Sequence, residues 1–241
     1  MSNADKFLSI FNKIEKHFQH LANTKGREDF TVLLGRLSGS NGVIRAYKND
    51  LREYAELRNA IVHQTTEEVI IAEPHTQAVE NFQKIYDIII KPPTAYDIAS
   101  KPVEHCNVIA LIADVIRIMT VKVYTHMPVL EDGKFVGVFS EATVTRWLAD
   151  SAEKDGFVLD KTQIGELKDY YDDPENTFCC YRFVSRGYDA YKIKDDFLYL
   201  VNKKWRLGAV FVTDSGKKTD KIIGIITSWD LPKIDEYGKE N

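Results

Sequence analysis

A short pattern of extended and helical segments is written twice in the second part of this 241-residue chain, and it constrains the fold more than any other feature. In the first copy Met127–Leu130 and Phe135–Phe139 read as strands joined by Glu131-Asp132-Gly133-Lys134. Asp-Gly between two apolar runs is a strong hairpin signal, because both turn residues must take positive φ. A helix, Glu141–Ala149, follows at once. In the second copy Ala209–Val212 and Lys221–Ile226 are the strands, Thr213–Asp220 the loop, and a short helix starts at Ser228. Each hairpin follows a helix, Val108–Thr120 or Ile193–Asn202, and each helix follows an extended segment, Pro102–Cys106 or Phe178–Val184. The unit is therefore strand–helix–strand–strand–helix, repeated, which predicts α/β architecture.

The first ninety residues obey a different period. Phe7, Phe11, Ile14, Phe18 and Leu21 recur at helical spacing. Phe30–Leu37 forms a second helix, Val43–Val62 a long third, and Val79, Phe82, Ile85 and Ile89 mark a last one, for which Pro74 suits the start. Lys91-Pro92-Pro93 closes it. The expected fold is α+β with two domains, an N-terminal all-α helical bundle followed by the tandem α/β repeats. The boundaries are 1–91, 92–150 for the first repeat, 151–176 for an acidic linker with a short helix near Gln163–Tyr170, and 177–241 for the second repeat.

Charge narrows the function classes. The net charge is −4, with 12 basic and 12 acidic residues up to Lys91 and 20 against 24 beyond it. Neither part carries the basic footprint of a nucleic-acid binder. The longest apolar run, Val108–Val123, is broken by Asp114, Arg117 and Lys122, so no membrane span is expected. The polar start, MSNADKF, is not a signal peptide. Cys106, Cys179 and Cys180 form neither a disulfide framework nor a zinc spacing. The expected setting is cytoplasmic, with no metal.

The hairpin-to-helix junctions carry the chemistry. Gly137 and Gly224 lie inside strands, where glycine marks the close approach of a ligand or another backbone. Ser140 and Thr227 open helices, where unpaired N–H groups welcome phosphate. Asp230, one turn on, can accept hydrogen bonds from a ribose diol. Thr-x-x-Asp is equally a capping box, which needs no ligand.

Met127-Pro128-Val129-Leu130-Glu131-Asp132-Gly133-Lys134-Phe135-Val136-Gly137-Val138-Phe139-Ser140 and Gly224-Ile225-Ile226-Thr227-Ser228-Trp229-Asp230-Leu231 resemble the hairpin motif of CBS domains, so residues 92–235 resemble a CBS pair, a Bateman module. The resemblance implies a homodimeric regulatory protein with an adenine nucleotide as its small-molecule ligand. AMP, ADP, ATP, cyclic di-AMP and S-adenosylmethionine are the candidates. It places the ligand on Ile225, Thr227 and Asp230, with the base against Val103–Cys106 and Tyr181–Ser185, which brings in Val103, Arg182, Val184 and Ser185. In the first copy the equivalents are Ser140 and Thr143 and the Asp is missing, so one competent site is expected, in the second repeat.

The third helix ends Arg58-Asn59-Ala60-Ile61-Val62-His63, which resembles the Arg/His motif of HEPN domains, many of which are metal-independent ribonucleases. The resemblance implies Arg58, Asn59 and His63 as catalytic residues of a nucleotide-gated ribonuclease, the alternative to a pure sensor. Arg52, Glu56, Asn59 and His63 share a helix face, while Arg58 lies about 140° from His63. The same stripe also fits a structural hydrogen-bond network between helices.

Overall fold

A computed structural model describes residues 1–24, 26, 28–63, 65–66, 69–70, 72–152, 159–171, 180–202 and 206–237, with backbone alone at 63, 65–66, 69–70 and 200–202. The chain divides into two compact units, one built on Met1–Pro93 and the other on Thr94–Asp235.

The first unit holds helices α1 (Asn3–Leu21), α2 (Phe30–Ser40), α3 (Gly42–Ala46) and α4 (Lys48–His63), then the two-residue strands β1 (Thr65–Thr66) and β2 (Val69–Ile70), then α5 (Thr76–Ile90). α1 starts where Ser2 and Asp5 form a reciprocal capping box. Of its predicted stripe, Phe7, Phe11, Ile14 and Phe18 are buried, whereas Leu21, in the last turn, is exposed. The core is aromatic: Phe7 meets Phe82 at 4.9 Å, Tyr54 meets Phe82 at 4.2 Å, and Phe18 stacks on Phe30 at 5.4 Å. Two expectations are corrected. The third helix is not continuous, because Tyr47 leaves helical geometry (φ −100°, ψ 15°) between α3 and α4. Pro74 stands before the cap of α5, which is His75, rather than at its first helical position.

The second unit begins with α6 (Ala95–Ile98). Its first repeat is β3 (Cys106–Asn107), α7 (Ile112–Lys122), β4 (His126–Glu131), β5 (Lys134–Ser140) and α8 (Glu141–Ala152). A 3-10 turn at Ile164–Leu167 leads into α9 (Lys168–Tyr171). The second repeat is β6 (Cys180–Ser185), α10 (Ala190–Asn202), β7 (Leu207–Thr213), β8 (Gly224–Ile226), a 3-10 turn at Ser228–Asp230, and α11 (Pro232–Glu236). Both sheets have one topology: a parallel pair joined through a helix, then an antiparallel hairpin, in the orders β3-β4-β5 and β6-β7-β8. Asp132 (φ 49°) and Gly133 (φ 74°) make the two-residue turn of the first hairpin. The expected strand at Lys221–Ile226 is regular only from Gly224, and the short helix expected after it is a three-residue turn followed by five residues of α11. Phe178 and Cys179, at the start of one predicted extended segment, lie outside the described residues.

The repeats exchange their lead-in segments. Thr94–Ser100, which precedes the first repeat, docks on the second. Ala95 N donates to Tyr188 O (2.6 Å), and Ser100 and Ile225 exchange backbone bonds of 2.8 and 3.2 Å. The stretch before the second repeat docks on the first. Ile112 N donates to Thr162 O (3.0 Å) and Ile164 N to Ala110 O (2.9 Å), and Ile164, Leu167 and Tyr171 join the first repeat's core. Part of the segment that reads as an acidic linker thus supplies core side chains.

The two strand glycines serve this exchange. A Cβ on Gly137 would lie 2.4 Å from Tyr171 Cδ2 and 2.7 Å from Tyr171 O. One on Gly224 would lie 2.7 Å from Ala99 Cβ. Both glycines admit another segment of the chain. Between the sheets, Phe135 of the first repeat packs against Tyr181, Phe183 and Phe211 of the second at 5.3, 5.0 and 5.4 Å. Such pairs each add about 0.5–1.5 kcal/mol beyond their buried area.

Gly137→Ala and Gly224→Ala are each expected to lower stability by about 1–3 kcal/mol through overpacking. Gly39→Ala, in a helix with nothing within 4 Å of the added carbon, should raise it by up to about 1 kcal/mol. Urea denaturation of the three variants checks this ordering.

Candidate functional site

The β8–α11 corner gathers polar groups from distant parts of the chain. Thr227 ends the strand and Asp230 closes the 3-10 turn, so their spacing returns the Asp230 carboxylate to the Thr227 backbone. Asp230 is 5% exposed. Its Oδ2 accepts from Thr227 N (2.8 Å) and Thr227 Oγ1 (3.2 Å). Its Oδ1 accepts from Ser100 Oγ (2.8 Å) and Lys233 Nζ (2.6 Å). Lys233 Nζ also reaches Ile98 O and Ser100 Oγ, both at 3.3 Å. A buried carboxylate is costly unless paired and hydrogen-bonded, and here both oxygens are held.

The corner brings Thr227 and Asp230, which the sequence singles out, together with Ser100 and Lys233, which it does not; Ile225 is bonded there through its backbone to Ser100. Ser100 is 130 residues from Asp230, and no local pattern announces the pairing. Lys233 had a signal: three residues after Asp230, it falls on the same helical face.

The other predicted ligand residues sit apart from these bonds. Arg182 forms an ion pair with Asp196 at 2.5 Å and lies over the Tyr188 ring at 5.8 Å. Val184 is buried in β6 opposite Val212, and Ser185 pairs with Thr213. Val103 is half-buried ahead of β3.

The first repeat's corner copies the cap without the charge. Ser140 N donates to Thr143 Oγ1 (3.1 Å) and Thr143 N to Ser140 Oγ (3.2 Å). Thr143 Oγ1 also donates to Val138 O at 3.3 Å. Ser140 and Thr143 are 1% and 3% exposed.

Between the corners lies a pocket of about 220 Å³ that takes equivalent positions from both repeats. Thr125, His126, Ser140, Glu141 and Ala142 line it from the first, and Arg206, Leu207, Gly208 and Ser228 from the second. His126 Nδ1 lies 2.8 Å from Thr125 Oγ1. Burial pushes the His126 imidazole down to about 4. Burial also pushes the Cys106 thiol up to about 12, which leaves it un-ionised and inert near neutrality.

In the helical unit, Arg58 Nη1 donates to Asn59 Oδ1 at 3.1 Å, and the guanidinium lies 5.7 Å from the Phe11 ring centre. Both residues line a pocket of about 290 Å³ together with Glu15, Glu28 and Asp29. Glu28 is paired with Arg36 at 3.2 Å, and Asp29 caps α2 by accepting from Thr31 N at 2.7 Å. His63 closes α4, and its side chain lies outside the described residues. Among the described residues no cluster of His, Cys, Asp and Glu is arranged to hold a metal, and no helix is long and apolar enough to cross a membrane.

Residues 95–150 match the CBS domain family. No curated protein matches the chain significantly. Similar solved structures include a protein with CBS domains from Burkholderia ambifaria MC40-6, 20% identical over 58% of this chain and 91% of that one, with a TM-score of 0.43. The CBS domain pair of protein MJ0100, solved in complex with 5′-methylthioadenosine and S-adenosyl-L-methionine, is 20% identical over 61% and 98%, with a TM-score of 0.41. The CBS domain protein TA0289 of Thermoplasma acidophilum is 21% identical over 58% and 67%, with a TM-score of 0.42.

The depressed His126 pKa has a signed consequence. Unfolded, the imidazole takes a proton near pH 6.5, whereas in the folded chain it stays neutral down to about 4. The unfolded state therefore binds more protons in that window. This contribution to stability is complete above pH 6.5, falls as pH drops toward 4, and levels off below it. Its limit is about 3 kcal/mol. The urea midpoint between pH 6.5 and 4.5 is expected to fall less steeply in His126→Gln than in the parent.

Proposed function

We propose that the Thr94–Asp235 unit is a CBS-pair sensor that takes one adenosine-containing ligand at the Asp230 corner and acts as a regulatory module. The observation that carries this reading is the buried Asp230 carboxylate, which is met by two hydroxyls and an ammonium drawn from both ends of the unit. A carboxylate so placed can exchange its present donors for the two hydroxyls of a ribose diol, and the freed Thr227 and Ser100 hydroxyls can then donate to ligand oxygens. The CBS match at residues 95–150 supports the reading.

The first corner has Thr143 where the second has Asp230, and its hydroxyls already bond one another, so one ligand per chain is the expected stoichiometry. Binding that pulls on Ser100 acts on a segment that runs directly on from the end of the helical unit, which gives the ligand a covalent route to it. The ligand shifts that unit only as far as its affinity differs between two arrangements. A homodimer belongs to the same reading: α7 exposes Ile118 and Val121, and α10, its equivalent in the other repeat, exposes Leu198 and Tyr199.

Thermal shift with AMP, ADP, ATP, cyclic di-AMP and S-adenosylmethionine tests the proposal. A ligand at 100 times its Kd adds about 2.7 kcal/mol, roughly 5–10 °C for a chain of this size. Calorimetry should give one site per chain, lost in Asp230→Asn. No shift with any of the five would contradict the sensor.

A further inference from the structure

Lys233 is tied to the Asp230 corner more closely than any sequence motif requires. Its ammonium lies 2.6 Å from Asp230 Oδ1 and 3.3 Å from Ser100 Oγ. Three other cations of the second repeat are committed elsewhere, Arg182 to Asp196, Arg186 to Asp214 and Lys194 to Asp235, and Arg206 lines the neighbouring pocket beside Ser228 without bonding Asp230. The turn at Ser228–Asp230 has three residues and α11 has five, too short to supply a useful helix dipole. Positive charge for an anionic group at this corner must therefore come from a side chain. Among the described residues, Lys233 is the cation bonded to the Asp230 carboxylate.

We propose that Lys233 is the specificity-determining residue of this corner, selecting an adenosine that carries a 5′-phosphate over one that is uncharged or bears a cation. The proposal rests on the sensor reading given above. A diol that arrives at Asp230 Oδ1 meets Lys233 already there. An uncharged nucleoside displaces the ammonium and gives it nothing in return. A nucleotide displaces it and offers a phosphate, and the flexible four-carbon stem lets the ammonium swing from the carboxylate to that anion. A sulfonium such as that of S-adenosylmethionine meets a like charge instead. The side chain of Lys233 is about half exposed, so it can move without unfolding the turn.

The test is calorimetry on the full chain with AMP and adenosine, for the parent, Lys233→Met and Lys233→Arg. The parent should bind AMP at least about tenfold more tightly than adenosine, a difference of 1.4 kcal/mol. In Lys233→Met the ratio should collapse toward one, with AMP weaker and adenosine tighter, because the ammonium no longer competes with the ribose for Oδ1. Lys233→Arg should restore the preference. A merely structural role would move both affinities by the same factor. An AMP-to-adenosine ratio unchanged in Lys233→Met, with binding intact, overturns the role of Lys233 alone. Binding of neither ligand to the parent overturns the sensor reading and this one together. Should Lys233→Met fail to melt cooperatively, Lys233→Gln replaces it, with the same ratio read out.

Discussion

Each repeat of the Thr94–Asp235 unit is completed by the piece of chain that leads into the other, and the rest of the unit depends on that exchange. Ser100 bonds Ile225 on the edge of the second sheet, while Ile164, Leu167 and Tyr171 fill the core of the first. Two glycines make room. With any side chain at Gly137 or Gly224, Tyr171 or Ala99 would have to give way. The exchange ties the repeats together through backbone hydrogen bonds as well as through the Phe135 aromatic contacts. It also carries Ser100 to within 2.8 Å of Asp230, so the candidate site is a product of the fold rather than of any local motif.

The two corners differ in a way that separates structure from chemistry. Both are reciprocal caps, and a cap is worth about 1 kcal/mol with no ligand present. The first uses Thr143, a neutral group that completes the cap and leaves little to offer. The second uses Asp230, which brings a buried charge whose desolvation a cap does not require. Ser100 and Lys233 are needed to hold it. A purely structural corner could have been built as the first one is.

Local rules were legible where the interactions are local. The Asp132-Gly133 turn, the buried stripe of α1, the doubled strand–helix–hairpin order and the missing Asp in the first copy all follow from short-range spacing. Legibility failed where a distant segment decides. Gly137 and Gly224 signalled a close approach, but whether a ligand or a backbone makes it depends on a segment tens of residues away. Ile164, Leu167 and Tyr171 lie in an acidic stretch whose composition hides three core side chains. The break at Tyr47 falls within an unbroken helical pattern. Lys233 stood at helical spacing from Asp230, yet its meaning depends on Ser100, which no spacing links to it.

The most direct test of the account is a crystal structure of the full chain grown with AMP. One nucleotide per chain is expected, its ribose hydroxyls on the Asp230 carboxylate, Lys233 moved off Oδ1, and the Ser140–Thr143 corner unchanged. A nucleotide bound elsewhere, with all four protein hydrogen bonds to Asp230 intact, would contradict it and leave that corner a helix cap.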